Sequence, residues 1–174
     1  MNKISTCAWL TSLFLFSTLV SAQTCWTQLP QSTPDSRFIV HGDGTVTDLE
    51  TGLMWKQCNE GQSGGLGCAG EASSHTWGDA LQLAQNANTA GYDDWRLPNI
   101  KELTSVVEWQ CVSPAMNINI FPNANSSYTW SSTLDAADET MAWAVYFNIG
   151  SSNRSGGPFR TKERKVRLVR DTLP

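Results

Sequence analysis

The chain has 174 residues and a formal net charge of −4 at neutral pH, with 40% hydrophobic, 10% aromatic and only 16% charged side chains. That length suits one domain with a sizeable core, and the aromatic content argues against disorder. Residues 1–22 read as a secretory signal peptide: Lys3 gives a positive start, 10–20 is mostly apolar, and Val20-Ser21-Ala22 places small residues at the cleavage positions. The apolar run is too short for a membrane span and no second one follows. A cytosolic enzyme and a membrane-spanning protein are thereby excluded. The chain is expected to be secreted, periplasmic or at a bacterial cell surface, with no nucleic-acid partner.

A polar, Pro-containing lead-in occupies 23–36. Residues 37–40, a Gly42-Asp43-Gly44 turn and residues 45–49 predict a hairpin, and after Glu50-Thr51-Gly52 a third strand over 53–57 carries Trp55. The Gly-rich stretch 58–74 has no core pattern. Thr76 and Asp79 form a capping pattern before a first helix, in which Trp77, Ala80, Leu81, Ala84 and Ala87 recur at helical spacing and Gly91 is the expected end. Asn99 and Glu102 open a second helix whose stripe is Leu103, Val106 and Val107, with Pro114 beyond it. Strands are expected over 128–132, 141–149 and 165–170, the middle one apolar on both faces and so placed centrally. Strands, two helices, then strands give an α+β domain with one mostly antiparallel sheet.

Of five cysteines, Cys7 lies in the signal segment, leaving Cys25, Cys58, Cys68 and Cys111. An even number in an exported chain reads as two disulfides, for which three connectivities exist. Cys58–Cys68 with Cys25–Cys111 is the favoured pairing. Chain-entropy arguments assign about 3 kcal/mol to the short loop and about 4.5 to the long one. No Cys-x₂₋₄-Cys pair and no His partner at ligand spacing supports a zinc site. No metal or other cofactor is expected.

Several short motifs then occur in a fixed order. They are Gly44-Thr45-Val46-Thr47-Asp48, Thr51-Gly52-Leu53-Met54-Trp55, Thr76-Trp77 with Ala80-Leu81, and Trp95-Arg96-Leu97-Pro98 with Glu102-Leu103. Trp130-Ser131-Ser132, Ala142-Trp143 and Val166-Arg167-Leu168-Val169-Arg170 follow. In order and spacing the chain resembles the C-terminal domain family of the Legionella collagen-like adhesin (Lcl), over 37–174. The Arg-Leu-Pro helix start and the Arg-Leu-Val-Arg ending are also similar to formylglycine-generating-enzyme-type domains. The resemblance implies a C-type-lectin-like fold, export and, from the name-giving adhesin, binding of sulfated polysaccharides. The enzyme relatives act through cysteines near the end of the domain; this chain has none after Cys111.

Nothing else in the sequence selects catalysis. His41 beside a turn and His75 before a helix read as surface or capping residues, and neither a Gly-x-Ser-x-Gly elbow nor a His-Glu-x-x-His pair occurs. The chain is therefore expected to be no enzyme. Asp135, Asp138 and Glu139 crowd one loop, read either as a solvated acidic turn or as oxygen ligands for calcium. Trp55, Trp77, Trp95, Trp109, Trp130 and Trp143 are expected in the core, with Trp26 the least constrained.

Charge is distributed unevenly. Residues 23–150 carry a net charge of −10 and residues 151–174 a net charge of +5, with Arg154, Arg160, Lys162, Arg164, Lys165, Arg167 and Arg170. Clustered cations focus potential even on an acidic protein, so Arg154, Arg160, Lys162, Arg164 and Lys165 are the candidate ligand-binding residues for a polyanion. Arg167 and Arg170 belong to the structural ending. The same segment is also readable as neutralising the acidic body, as facing an acidic surface of another copy, or as keeping a terminal hairpin soluble. The functional expectation is a non-catalytic module for an anionic or sulfated surface glycan. Its rivals are a structural or protein-interaction domain of a surface or secretion assembly, where other surface proteins are the partners, and a hydrolase with a carboxylate pair.

Overall fold

The computed structural model describes residues 23–63, 67–154 and 161–172. The expected signal segment and Arg160 lie outside these residues, and only the backbone of Arg154 is described. Two antiparallel sheets, a short strand pair and two helices make an α+β fold held by two disulfides.

Strand β1 (Thr24–Cys25) fastens the lead-in by pairing with β5 (Cys111–Val112), and Cys25 bonds Cys111 across that pair with Cα atoms 4.1 Å apart. The other disulfide joins Cys58 to Cys68. The favoured connectivity is the one present. A first sheet contains β2 (Phe38–Val40), β3 (Thr45–Asp48), β4 (Leu53–Lys56) and β9 (Val169–Asp171) in that order, so the final strand closes onto an early one. Asp48 sits fully buried where β3 turns toward β4. There it accepts two hydrogen bonds from Arg37, at 2.7 and 2.5 Å, and others from the Thr51 hydroxyl and the Glu50 amide. A buried carboxylate is tolerable only with this many donors.

The second sheet contains β6 (Tyr128–Asp135), β7 (Asp138–Tyr146) and β8 (Ser151–Arg154), with β7 central as expected. Two apolar clusters result. Helix α1 (Trp77–Gln85) contributes Ala80 and Ala84 to one, with Trp95, Trp130, Ala142, Ala144 and Leu168. Helix α2 (Ile100–Ser105) leads Leu103, Val106 and Val107 into the other, against Trp55, Phe121, Val145 and Phe147. Asn99 and Glu102 form the complete capping box that the sequence predicts.

The one mostly antiparallel sheet expected from the sequence is divided into a four-stranded and a three-stranded sheet, β6 runs on to Asp135, and other boundaries differ too. Helix α1 ends at Gln85, not near Gly91, because Asn86 caps it by donating its side-chain amide to the Gln82 carbonyl. Gly91, at φ +80°, instead serves a turn in which Thr89 bridges Tyr92. The central strand runs Asp138–Tyr146, since the chain turns at Phe147–Gly150 and leaves Ile149 exposed. The last strand is short: Arg164 and Lys165 make single bridges to His75 and Thr129 before Val169–Asp171 joins the sheet. Gly150 is fixed by space as well as by its φ of +76°, since a Cβ there would lie 2.6 Å from Val107 Cγ1. No helix among the described residues is long and apolar enough to cross a membrane.

Candidate functional site

A cleft of about 460 Å³ opens where α2 meets the β7–β8 edge, lined by Ile100, Lys101, Thr104, Ser105, Trp143 and Ser152. The sequence produces it in a simple way. On β7, Val145 lies under the helix in the core while Trp143, two residues earlier on the same face, lies beyond it and stays half-buried. On α2, Leu103 points inward, which places Ile100, Lys101 and Thr104 along the flank. The Thr104 hydroxyl donates to the Ile100 carbonyl and that of Ser105 to the Glu102 carbonyl, both at 2.7 Å. Their oxygen lone pairs therefore remain as acceptors. Neither the Lys101 ammonium nor the Trp143 indole N–H has a partner among the described residues.

The basic segment is not one exposed patch. Arg164 is only 8% exposed, with its guanidinium 4.3 Å from the centre of the Tyr128 ring and 4.9 Å from that of Trp130. Burial lowers its pKa, with the phenol of Tyr128 as a weaker opposing influence, and its Nε has no hydrogen-bond partner. Although the sequence offers Arg164 as a ligand-binding cation, the β6 aromatics and the His75 bridge hold it as a packing group. Lys165 is partly buried and donates to the Ala72 carbonyl, at the edge of a polar hollow of about 210 Å³ with Gln62, Asn123, Asn125 and the carboxylate residue Glu71. Lys162 is exposed. The backbone of Arg154 is registered opposite Trp143, which brings the start of the segment to the cleft. Arg167 is fully buried and donates to the carbonyls of Lys56 and Gln57; desolvation pushes its guanidinium down to about 9, with Glu60 opposing.

Other titratable groups serve the frame. Burial pushes the Glu108 carboxyl up, but amide donors at Gln110, Ser32 and Thr33 and the Thr33 hydroxyl together hold its pKa below the usual value. It thereby ties the lead-in to the chain after α2. His75 is bonded to the Ser73 hydroxyl and His41 to that of Thr47. Asp135 and Asp138 cap the β6–β7 turn through the amides of Ala137 and Thr140. No group of three or more acidic, His or Cys residues suited to a metal ion occurs among the described residues.

The tryptophans divide in two. Trp55, Trp95 and Trp130 are buried, and the indole N–H groups of Trp77, Trp95 and Trp130 reach the carbonyls of Ser131, Thr89 and His75. Trp109, expected in the core, is 54% exposed because its ring lies over Gly150 at the surface. Sequence reasoning missed the cleft residues Lys101, Thr104, Ser105 and Ser152. The available signal was the position of Trp143 one step past Val145 on an otherwise core-facing strand.

No curated protein matches the chain. The family model described as the Lcl C-terminal domain matches residues 44–170, from the turn before β3 to β9. With that span covering most of its length, the chain belongs to the Lcl C-terminal domain family, an adhesin-related group of bacterial surface domains.

Proposed function

We propose that this is a secreted or cell-surface, non-catalytic module that binds an anionic or sulfated glycan without a metal or other cofactor. The observation that carries the reading is the charge reversal along the chain, from a net −10 over 23–150 to +5 over 151–174. Membership of an adhesin-related family and two disulfides, which form in oxidising compartments, support it. A C-type-lectin-like arrangement is part of the reading, supported by an early strand, β4, pairing with the final strand, β9. The cations offered to the glycan are Arg154, Arg160 and Lys162, with Lys165 at its hollow; Arg164 belongs to the packing.

Retention of the mature protein on immobilised heparin tests this. Binding is expected at low salt and weakens steeply as salt rises, because each neutralised anionic group releases counterions. Replacing Arg154, Arg160 and Lys162 together with Ser abolishes retention while preserving the fold. Absence of wild-type retention at low salt contradicts the proposal. A protein-interaction role is the second reading, favoured by Trp26, Leu29, Trp109 and Ile149, each 48–54% exposed. Trp26 and Leu29 are tied by hydrogen bonds to Gln110, which follows Trp109 in the chain, and the Trp109 ring adjoins Gly150, which follows Ile149.

A further inference from the structure

We infer that the cleft between α2 and the β7–β8 edge is a subsite for one acidic pyranose unit, with the sugar ring against Trp143 and its carboxylate or sulfate facing Lys101. The inference rests on the glycan-binding reading and gives it a location. A pyranose has an apolar C–H face and a rim of hydroxyls, and the lining offers a counterpart to each. Trp143 and Ile100 supply the apolar surface. Thr104 and Ser105 have already donated their hydroxyl hydrogens to helix carbonyls, so they accept from sugar hydroxyls. Ser152 adds a hydroxyl at the same wall.

Charge fixes the class of sugar. Lys101 is the one ionisable side chain lining the cleft among the described residues. The other charged residue of α2, Glu102, is held by Arg96 at 2.8 and 3.0 Å and by the Asn99 amide at 2.7 Å. An anionic ligand thus meets an ammonium and no competing carboxylate. Arg154 is registered opposite Trp143 in the β7–β8 ladder, so a longer anionic chain leaving the cleft along β8 passes the backbone position of a further cation. A purely apolar ligand would use neither the ammonium nor the lone pairs that the Thr104 and Ser105 hydroxyls keep as acceptors. The volume of about 460 Å³ lies within the range of small-ligand sites.

Calorimetric titration of the mature protein with a heparin-derived hexasaccharide tests the subsite, with maltohexaose and hexaglutamate as neutral and peptide comparisons. Trp143→Ala is expected to weaken hexasaccharide binding at least about tenfold, as for loss of an aromatic anchor. Trp143→Phe keeps most of the affinity. Lys101→Ala weakens binding several-fold and lowers the salt slope by about one. Wild-type affinity in either alanine variant, with the wild type binding, overturns the cleft assignment and leaves the glycan module standing. No hexasaccharide binding by folded wild type overturns both. Equal binding of maltohexaose removes the acidic requirement, and equal binding of hexaglutamate removes the sugar; each overturns the inference. Should Trp143→Ala not fold, the Trp143 indole N–H resonance of the wild type, assigned with Trp143→Phe, decides: it shifts on adding hexasaccharide, or the assignment falls.

Discussion

Around the β2–β3–β4–β9 sheet, cations are fully engaged: Arg37 by Asp48 and Glu50, Arg170 by Asp94, Arg96 by Glu102 and Asp171, and Arg167 by two carbonyls. Across the molecule, on the α2 face of the β6–β7–β8 sheet, Lys101 carries no such partner and Trp143 lies half-open beside it. The difference separates two uses of positive charge that a count of basic residues merges. Planar guanidinium groups with several donors act as fasteners between strands and loops. The compact ammonium on the flank of α2 is left facing an open cleft.

Breaking a fastener should have the largest effect. Asp48→Ala leaves Arg37 buried without its principal partner and is expected to cost about 3–5 kcal/mol in denaturant unfolding. Leu103→Ala, at 0% exposure beneath the cleft, should cost about 2–5 kcal/mol. A value below about 0.5 would mean that α2 does not anchor that side. Gly150→Ala combines positive φ with contacts to Val107 and Trp109 and should cost about 1–3 kcal/mol by thermal unfolding.

Acid sharpens the contrast in another way. Glu108, Asp48 and Asp94 all have pKa values held below the ordinary 4.5 or 3.8. For Glu108 and Asp48 burial is the largest single influence and opposes this, but their donors, Arg37 among them, outweigh it together; for Asp94 the Arg170 hydrogen bond leads. A carboxyl with a lowered folded pKa contributes stability that is fully present above its unfolded value and is lost as pH falls through the folded one. Stability should therefore decline as pH drops below about 4.5, and Glu108→Gln should flatten part of that decline while lowering stability at neutral pH. The smallest stability change belongs to the cleft. Lys101→Ala, an exposed position, should alter unfolding free energy by about 0.5 kcal/mol or less while still weakening glycan binding.

Much of the frame was legible because its signals are local. The Asn99–Glu102 box, the alternation along β7 and the burial of Leu103, Val106 and Val107 each follow from residue type and spacing. The disulfide pairs followed from loop length and the need to hold the lead-in. Arg164 was not legible. Its neighbours Gly156, Gly157 and Pro158 suggest a loop, but its environment comes from Tyr128 and Trp130, more than thirty residues away. The cleft was hidden for the same reason. It is a gap between α2 and β7, and whether Trp143 fills the core or borders an opening depends on where the short helix stops. No periodicity encodes that.

The most direct test of the account is a ¹H–¹⁵N chemical-shift map of the mature protein titrated with a heparin-derived hexasaccharide. The account predicts perturbations concentrated at Ile100–Ser105, the Trp143 indole and backbone, Ser151–Arg154, Lys162 and Lys165, with the β2–β3–β4–β9 sheet unchanged. Shifts confined to Trp26, Leu29, Trp109 and Ile149, or no shifts at a saturating concentration, would contradict it.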